Sequence, residues 1–143
     1  MSTWSQIAGC VWIDSFREGV DLDRQIEWLK KYLEGTENKL PKGSEGHLQY
    51  SIQKLDNNYG FSQIMINFYG SLRDFHTGDC YSVLEWLNTK ISEESMAMKP
   101  NSSMFIRAGA MSLTTDWIDL ISISYVECKE KWEIVYDTNA REC

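Results

Sequence analysis

A hairpin pattern at the centre of the chain most limits what it can fold into. Leu48, Tyr50 and Ile52 alternate with polar residues. After the run Asp56-Asn57-Asn58-Tyr59-Gly60, Ile64, Ile66 and Phe68 alternate again, with Phe61, Met65 and Tyr69 on the other parity. Alternation with a period of two gives a strand one apolar face, and Asp, Asn and Gly suit the backbone of a tight turn. A two-stranded hairpin is at best marginally stable alone in water, so this one needs more strands, or helices packed on its apolar face.

The flanking segments supply both. Residues 6–16 (Gln-Ile-Ala-Gly-Cys-Val-Trp-Ile-Asp-Ser-Phe) are apolar and rich in strand formers, and predict a first strand. The period then changes. From Asp21 to Leu33, Leu22, Ile26, Leu29 and Leu33 form one helical stripe. Asp21 and Asp23 stand at its start, Lys30 and Lys31 near its end, as the helix dipole favours, and Gly35 is placed to end it. A second helix is expected from about Asp79 to Lys90, or as far as Glu94, with Cys80, Leu84, Leu87 and Ile91 as its stripe and Thr77 or Asp79 as its cap. Lys99-Pro100-Asn101 interrupts the chain. Met104, Ile106, Ala108 and Ala110 then alternate as a fourth strand, Ile121-Ser122-Ile123-Ser124-Tyr125 as a fifth, and Trp132–Tyr136 as a last one before a frayed tail over 137–143. The order β-α-β-β-α-β-β-β predicts a single α+β domain. Its expected architecture is the ferredoxin-like split β-α-β order with an added C-terminal β-hairpin: a mostly antiparallel sheet with two helices on one face. The other face is left for solvent, a second subunit or a ligand.

Composition narrows the function. The 143 residues carry a formal charge of −7, which opposes broad binding to the phosphate backbone of a long nucleic acid. No apolar run approaches the ~18 residues of a membrane span, and Met-Ser-Thr-Trp-Ser-Gln lacks the basic-then-apolar order of a signal peptide, so a cytoplasmic protein is expected. Four cysteines without a Cys-x-x-Cys pair and two histidines give no metal-ligand spacing, so no metal and no cofactor is expected, and the thiols read as reduced. His76 and Cys80 are four apart, but Thr77-Gly78-Asp79 between them reads as a helix start, so the pair is not expected to act together. No Ser/His/Asp set is visible. Asp14, Asp116 and Glu93-Glu94 read as solvated charges, and the aromatics mainly as core. A non-enzymatic protein is expected.

Two loops are left to carry chemistry. Pro41-Lys42-Gly43-Ser44-Glu45-Gly46 offers backbone N–H groups and the Ser44 hydroxyl to an anion, without the ending of a nucleotide-binding P-loop. Gly70-Ser71-Leu72-Arg73-Asp74-Phe75 holds Arg73 just before a helix, where a guanidinium suits phosphate or carboxylate. The candidate ligand-binding residues are Gly43, Ser44, Glu45, Gly46, Tyr69, Arg73, Asp74 and Phe75. The alternatives are a glycine-rich turn without a ligand, and an ion pair of Arg73 with Asp74 or Glu45 that ties the loops.

Leu-Pro-Lys-Gly-Ser-Glu-Gly at 40–46 followed by Tyr-Gly-Ser-Leu-Arg-Asp-Phe at 69–75, with Glu85-Trp86-Leu87 and Trp132 beyond, resembles a family of small uncharacterised bacteriophage and prophage proteins. The likeness spans roughly residues 38–136. It implies an early or accessory role in the cytoplasm of an infected bacterium. Small phage proteins of this kind include sponges that sequester the cyclic-nucleotide signals of CBASS defence. The expectation is therefore a homo-oligomeric protein that binds a small anionic nucleotide, with Arg73 and Gly43–Gly46 on phosphate and an aromatic on the base. An acidic protein–protein interaction module that inhibits a host defence protein is the alternative. A nucleotide-cleaving enzyme with Glu45 as base ranks third.

Overall fold

The computed structural model describes residues 4–16, 22–35, 41, 45–56, 61–73, 80–93, 104–115 and 119–138. The predicted patterns fold into strand β1 (Trp4–Phe16), helix α1 (Leu22–Glu34), β2 (Gln49–Asp56), β3 (Phe61–Arg73), helix α2 (Cys80–Lys90), β4 (Met104–Thr115), β5 (Asp119–Val126) and β6 (Lys131–Asp137). The strands form one sheet in the order β2-β3-β1-β4-β5-β6, with every neighbouring pair antiparallel. The protein is thus an α+β fold with a six-stranded antiparallel sheet and two helices.

Alternation decides which face each strand buries. Ile7, Val11 and Ile13 on β1 lie beside Ile64, Ile66, Phe68 and Leu72 on β3, and all are buried. Met111 and Leu113 on β4, Ile121 and Ile123 on β5, and Trp132 on β6 continue the same face. Both helices close over it. Gln25 of α1 accepts a hydrogen bond from the buried Ser15 hydroxyl, and the Tyr50 hydroxyl donates to Glu34 at 2.6 Å. Trp86 of α2 meets Phe68 edge-on, with ring centroids 5.7 Å apart. The helices are tied to each other where the Tyr32 hydroxyl donates to the Lys90 carbonyl at 2.7 Å.

Trp132 locks β6 into this layer. Its indole N–H donates to the Ile91 carbonyl at 2.9 Å just past α2, and its ring sits against Gly109 of β4. The Asn88 side chain brackets its backbone, accepting from Trp132 N at 2.8 Å and donating to Trp132 O at 3.1 Å. An edge strand leaves such groups unpaired, and a buried unpaired amide costs about 1–3 kcal/mol. Asn88 removes that cost.

Three sequence expectations need correction. Residues 70–73 are not loop: β3 runs to Arg73, where Gly70, Ser71, Leu72 and Arg73 pair with Ile7, Gln6, Ser5 and Trp4. Leu72 continues the buried parity, and Gly70 suits the close approach of the preceding segment, since a β-carbon there would stand 3.0 Å from the His47 carbonyl oxygen. The fourth strand likewise extends to Thr115, whose hydroxyl meets that of Ser5 at 2.8 Å inside the core. The second helix ends at Lys90, and residues 91–93 turn away from it, so the expected extension towards Glu94 does not form. The expected caps Thr77 and Asp79, Glu94 itself, the turn residues 57–60 and most of the tail (139–143) lie outside the described residues. No helix among the described residues is long and apolar enough to cross a membrane.

Candidate functional site

The longer β3 re-places the predicted site. Tyr69, Ser71 and Arg73 have the parity opposite to the buried Phe68 and Leu72, so they lie along one line on the sheet's open face. Tyr69 is 45% exposed, enough for its ring to accept a stacked partner. Ser71 donates to Gln6 on the adjacent strand at 2.6 Å, and Arg73 pairs in register with Trp4, a large apolar side chain that is also exposed.

The segment before β2 folds back onto this line. Arg73 N donates to the Glu45 carbonyl at 3.0 Å, and its guanidinium Nη1 meets Glu45 Oε1 at 2.5 Å. Gly46 follows with φ of 79°, and a β-carbon there would collide with the Ser71 carbonyl oxygen. Glycine is required twice, for the left-handed backbone and for the close approach. The two predicted segments therefore converge, through the Arg73–Glu45 pair that the sequence offered as one alternative. Glu45, Gly46 and Arg73 are placed together at the end of β3, and Tyr69 stands four residues back along the same face. Gly43, Ser44, Asp74 and Phe75 lie outside the described residues.

A second concave region went unread in the sequence. Where β1 ends, β4 begins and β5 runs into the 3-10 turn Glu127–Lys129, a cavity of about 400 Å³ opens. Phe105, Ile106 and Tyr125 form its apolar walls, and Asp14, Glu93, Glu127, Glu130 and Arg107 its charged ones. Arg107 is 3.3 Å from Glu127 and 3.9 Å from Asp14, so one guanidinium faces several carboxylates. Glu93 accepts from the Ile106 backbone N–H, and Asp14 Oδ1 is buried with no hydrogen-bond partner. Burial, reinforced by Glu93, Glu130 and Glu127, pushes the Tyr125 phenol up to about 12. Asp14 and Glu93, expected as solvated charges, belong to this cavity. Its members are far apart in the chain, and only the β1–β4–β5 order brings them together. Among the described residues no group of three His, Cys, Asp or Glu is placed to hold a metal ion.

Comparisons with protein-family models, with curated proteins and with solved structures find no match. The chemistry of these residues therefore carries the functional reading.

Proposed function

We propose that the chain is a non-enzymatic phage protein that sequesters a small anionic signalling nucleotide of the cyclic oligonucleotide class in the cytoplasm of the infected bacterium, and so counters its anti-phage defence. The framework of the reading is a ferredoxin-like unit made of β1 to β4 with α1 and α2, extended by the β5–β6 hairpin. Four strands in the order β2-β3-β1-β4, with α1 between β1 and β2 and α2 between β3 and β4, support it. One sheet face is then free for ligand.

The observation that carries the reading is the Tyr69–Ser71–Arg73 line, closed at one end by Glu45 and Gly46. A base stacks on Tyr69, the Ser71 hydroxyl, whose proton goes to Gln6, accepts from a sugar hydroxyl, and Arg73 takes phosphate. Base–aromatic stacking contributes about 1–3 kcal/mol. The Glu45–Arg73 pair is solvent-exposed, with the two side chains 59% and 36% accessible, so it is worth under about 1 kcal/mol. A phosphate that accepts two parallel N–H bonds from the guanidinium offsets its loss. Until ligand arrives, Glu45 holds the guanidinium in place.

A second reading is supported by the acidic cavity. A surface with Asp14, Glu93, Glu127 and Glu130 around one Arg107 suits a basic side chain of a host protein, as an inhibitory interaction module requires.

Thermal unfolding against cyclic di- and trinucleotides separates the two. Ligand at ~100 times its dissociation constant adds about 2.7 kcal/mol, a rise of several degrees in Tm for a domain of this size. The rise is expected in wild type, and its loss in Arg73→Ala and Tyr69→Ala with the unliganded Tm nearly unchanged. No rise with any nucleotide, together with a host protein retained by wild type and released by Glu127→Lys, favours the second reading.

A further inference from the structure

The open face of the sheet differs from the rest of the chain in charge. The sequence is 24% charged, with a net charge of −7. Yet between the Trp4–Arg73 rung at one end and the Trp12–Ala108 rung at the other, no described open-face residue of β1 to β5 is Asp, Glu, Lys or Arg. Charge stands only at the rim: Arg73 at one end, Asp14 and Arg107 at the other, and Lys131 and Glu133 on edge strand β6. The interior of the face is made of neutral amides and hydroxyls around Trp12, Met65 and Tyr69, with Ala8, Cys10, Ala108 and Ala110 at its centre.

Loss of charge, with aromatics and Met retained, marks the core of a protein interface and not a solvated surface. The neutral face also selects its partner. Two copies of an acidic chain repel wherever their charged surfaces meet. This face excludes that charge, and its own equivalent on another copy is as neutral as it is, which is what a two-fold contact of like with like requires. Small central side chains let a second sheet approach to the roughly 10 Å of sheet-on-sheet packing. Area is sufficient as well. Five strands about 4.8 Å apart and about eight residues long give a projected area near 600 Å². Side-chain relief brings the accessible surface towards the ~800 Å² per partner of a stable interface.

We propose that the chain dimerises by packing the neutral open face of its sheet against the same face of a second copy, with Cys10 and Ala110 at the centre of the contact. The contact is centred on β1 and β4 and reaches over β3 as far as Tyr69, so it borders the proposed nucleotide site, whose Ser71, Arg73 and Glu45 lie beyond it at the end of β3. The dimer rests on the neutral face and not on that site.

Sedimentation velocity of the full chain without nucleotide, over a wide concentration range, tests it. The expected result is a species with the mass of two chains. Ala110→Arg and, separately, Ser122→Lys place charge in the neutral face at positions outside the core, and each is expected to halve the mass while the far-ultraviolet spectrum stays unchanged. Thiol labelling with peptide mapping gives a second readout on wild type. Cys10 is half-buried in the free chain and Cys128 is exposed. Dilution through the dissociation range is expected to speed Cys10 labelling several-fold and leave Cys128 unchanged. A monomer at every concentration, a dimer that survives both substitutions, or Cys10 labelling independent of concentration overturns the proposal.

Discussion

Replacing Gly109 with alanine is expected to destabilise the fold, against the ordinary effect of that substitution. Where glycine has extended backbone, alanine usually stabilises by about 0.4–1 kcal/mol, because it restricts the unfolded chain. Gly109 lies in β4 and has no positive φ. Its added β-carbon, however, would stand 2.9 Å from Cζ2 and Cζ3 of Trp132 and closer still to Cη2. Trp132 cannot withdraw. It is 1% exposed, its indole N–H is held by Ile91 O, and Asn88 holds its backbone on both sides. Overpacking of this kind costs about 1–3 kcal/mol. At roughly 2–4 °C per kcal/mol for this chain length, Tm falls by about 2–12 °C. Denaturant unfolding of Gly109→Ala, Trp132→Phe and the double variant measures the coupling. Trp132→Phe removes the colliding ring and the Ile91 hydrogen bond, so it destabilises by itself. In its background Gly109→Ala should cost less than about 1 kcal/mol, a clear departure from additivity. A Gly109→Ala variant as stable as wild type, or costs that simply add, would refute the reasoning.

Two further predictions concern stability. Asn88→Ala leaves the backbone N–H and carbonyl of Trp132 without their partners, and chemical denaturation should show a loss of about 2 kcal/mol; an unchanged midpoint would mean that water replaces the amide at no cost. At alkaline pH, Tyr50 and Tyr125 are both pushed up to about 12, first by burial and then by the neighbouring carboxylates, Glu34 for Tyr50 and chiefly Glu93 for Tyr125. The unfolded phenols ionise near pH 10. Both groups stay neutral in the fold while the unfolded chain loses its protons, so their stabilising contribution is complete below about pH 10 and is lost as pH rises through about 12. Tm against pH should fall across that window, less steeply in Tyr125→Phe, and phenolate absorbance should show two tyrosines titrating late.

The parts of the fold that the sequence made legible share one property: their periodicity is uninterrupted. The β2–β3 hairpin and α1 lie where alternation and the Leu22–Leu33 stripe placed them, with α1 shifted by a single residue. The end of β3 was hidden because Gly70, Ser71 and Arg73 carry none of the usual strand signals, and the buried parity of Leu72 becomes visible only once β1 is known to lie alongside. The Arg73–Glu45 contact was legible as a pairing of two unusual segments. The acidic cavity was not, since Asp14, Glu93, Phe105 and Glu127 meet through strand order, which local patterning does not encode. The neutral open face lay in the sequence as the polar half of each alternation, but its lack of charge has meaning only when five strands are set side by side.

Equilibrium dialysis of the full chain against a cyclic oligonucleotide panel, with denaturation and chromatography of whatever is retained, tests the central functional claim most directly. At least one nucleotide is expected to be retained and recovered chemically intact, and Arg73→Ala and Tyr69→Ala to release it while keeping the wild-type fold. No retention from the whole panel, or retention that survives both substitutions, contradicts binding at the end of β3; recovery of a cleaved product contradicts the non-enzymatic role.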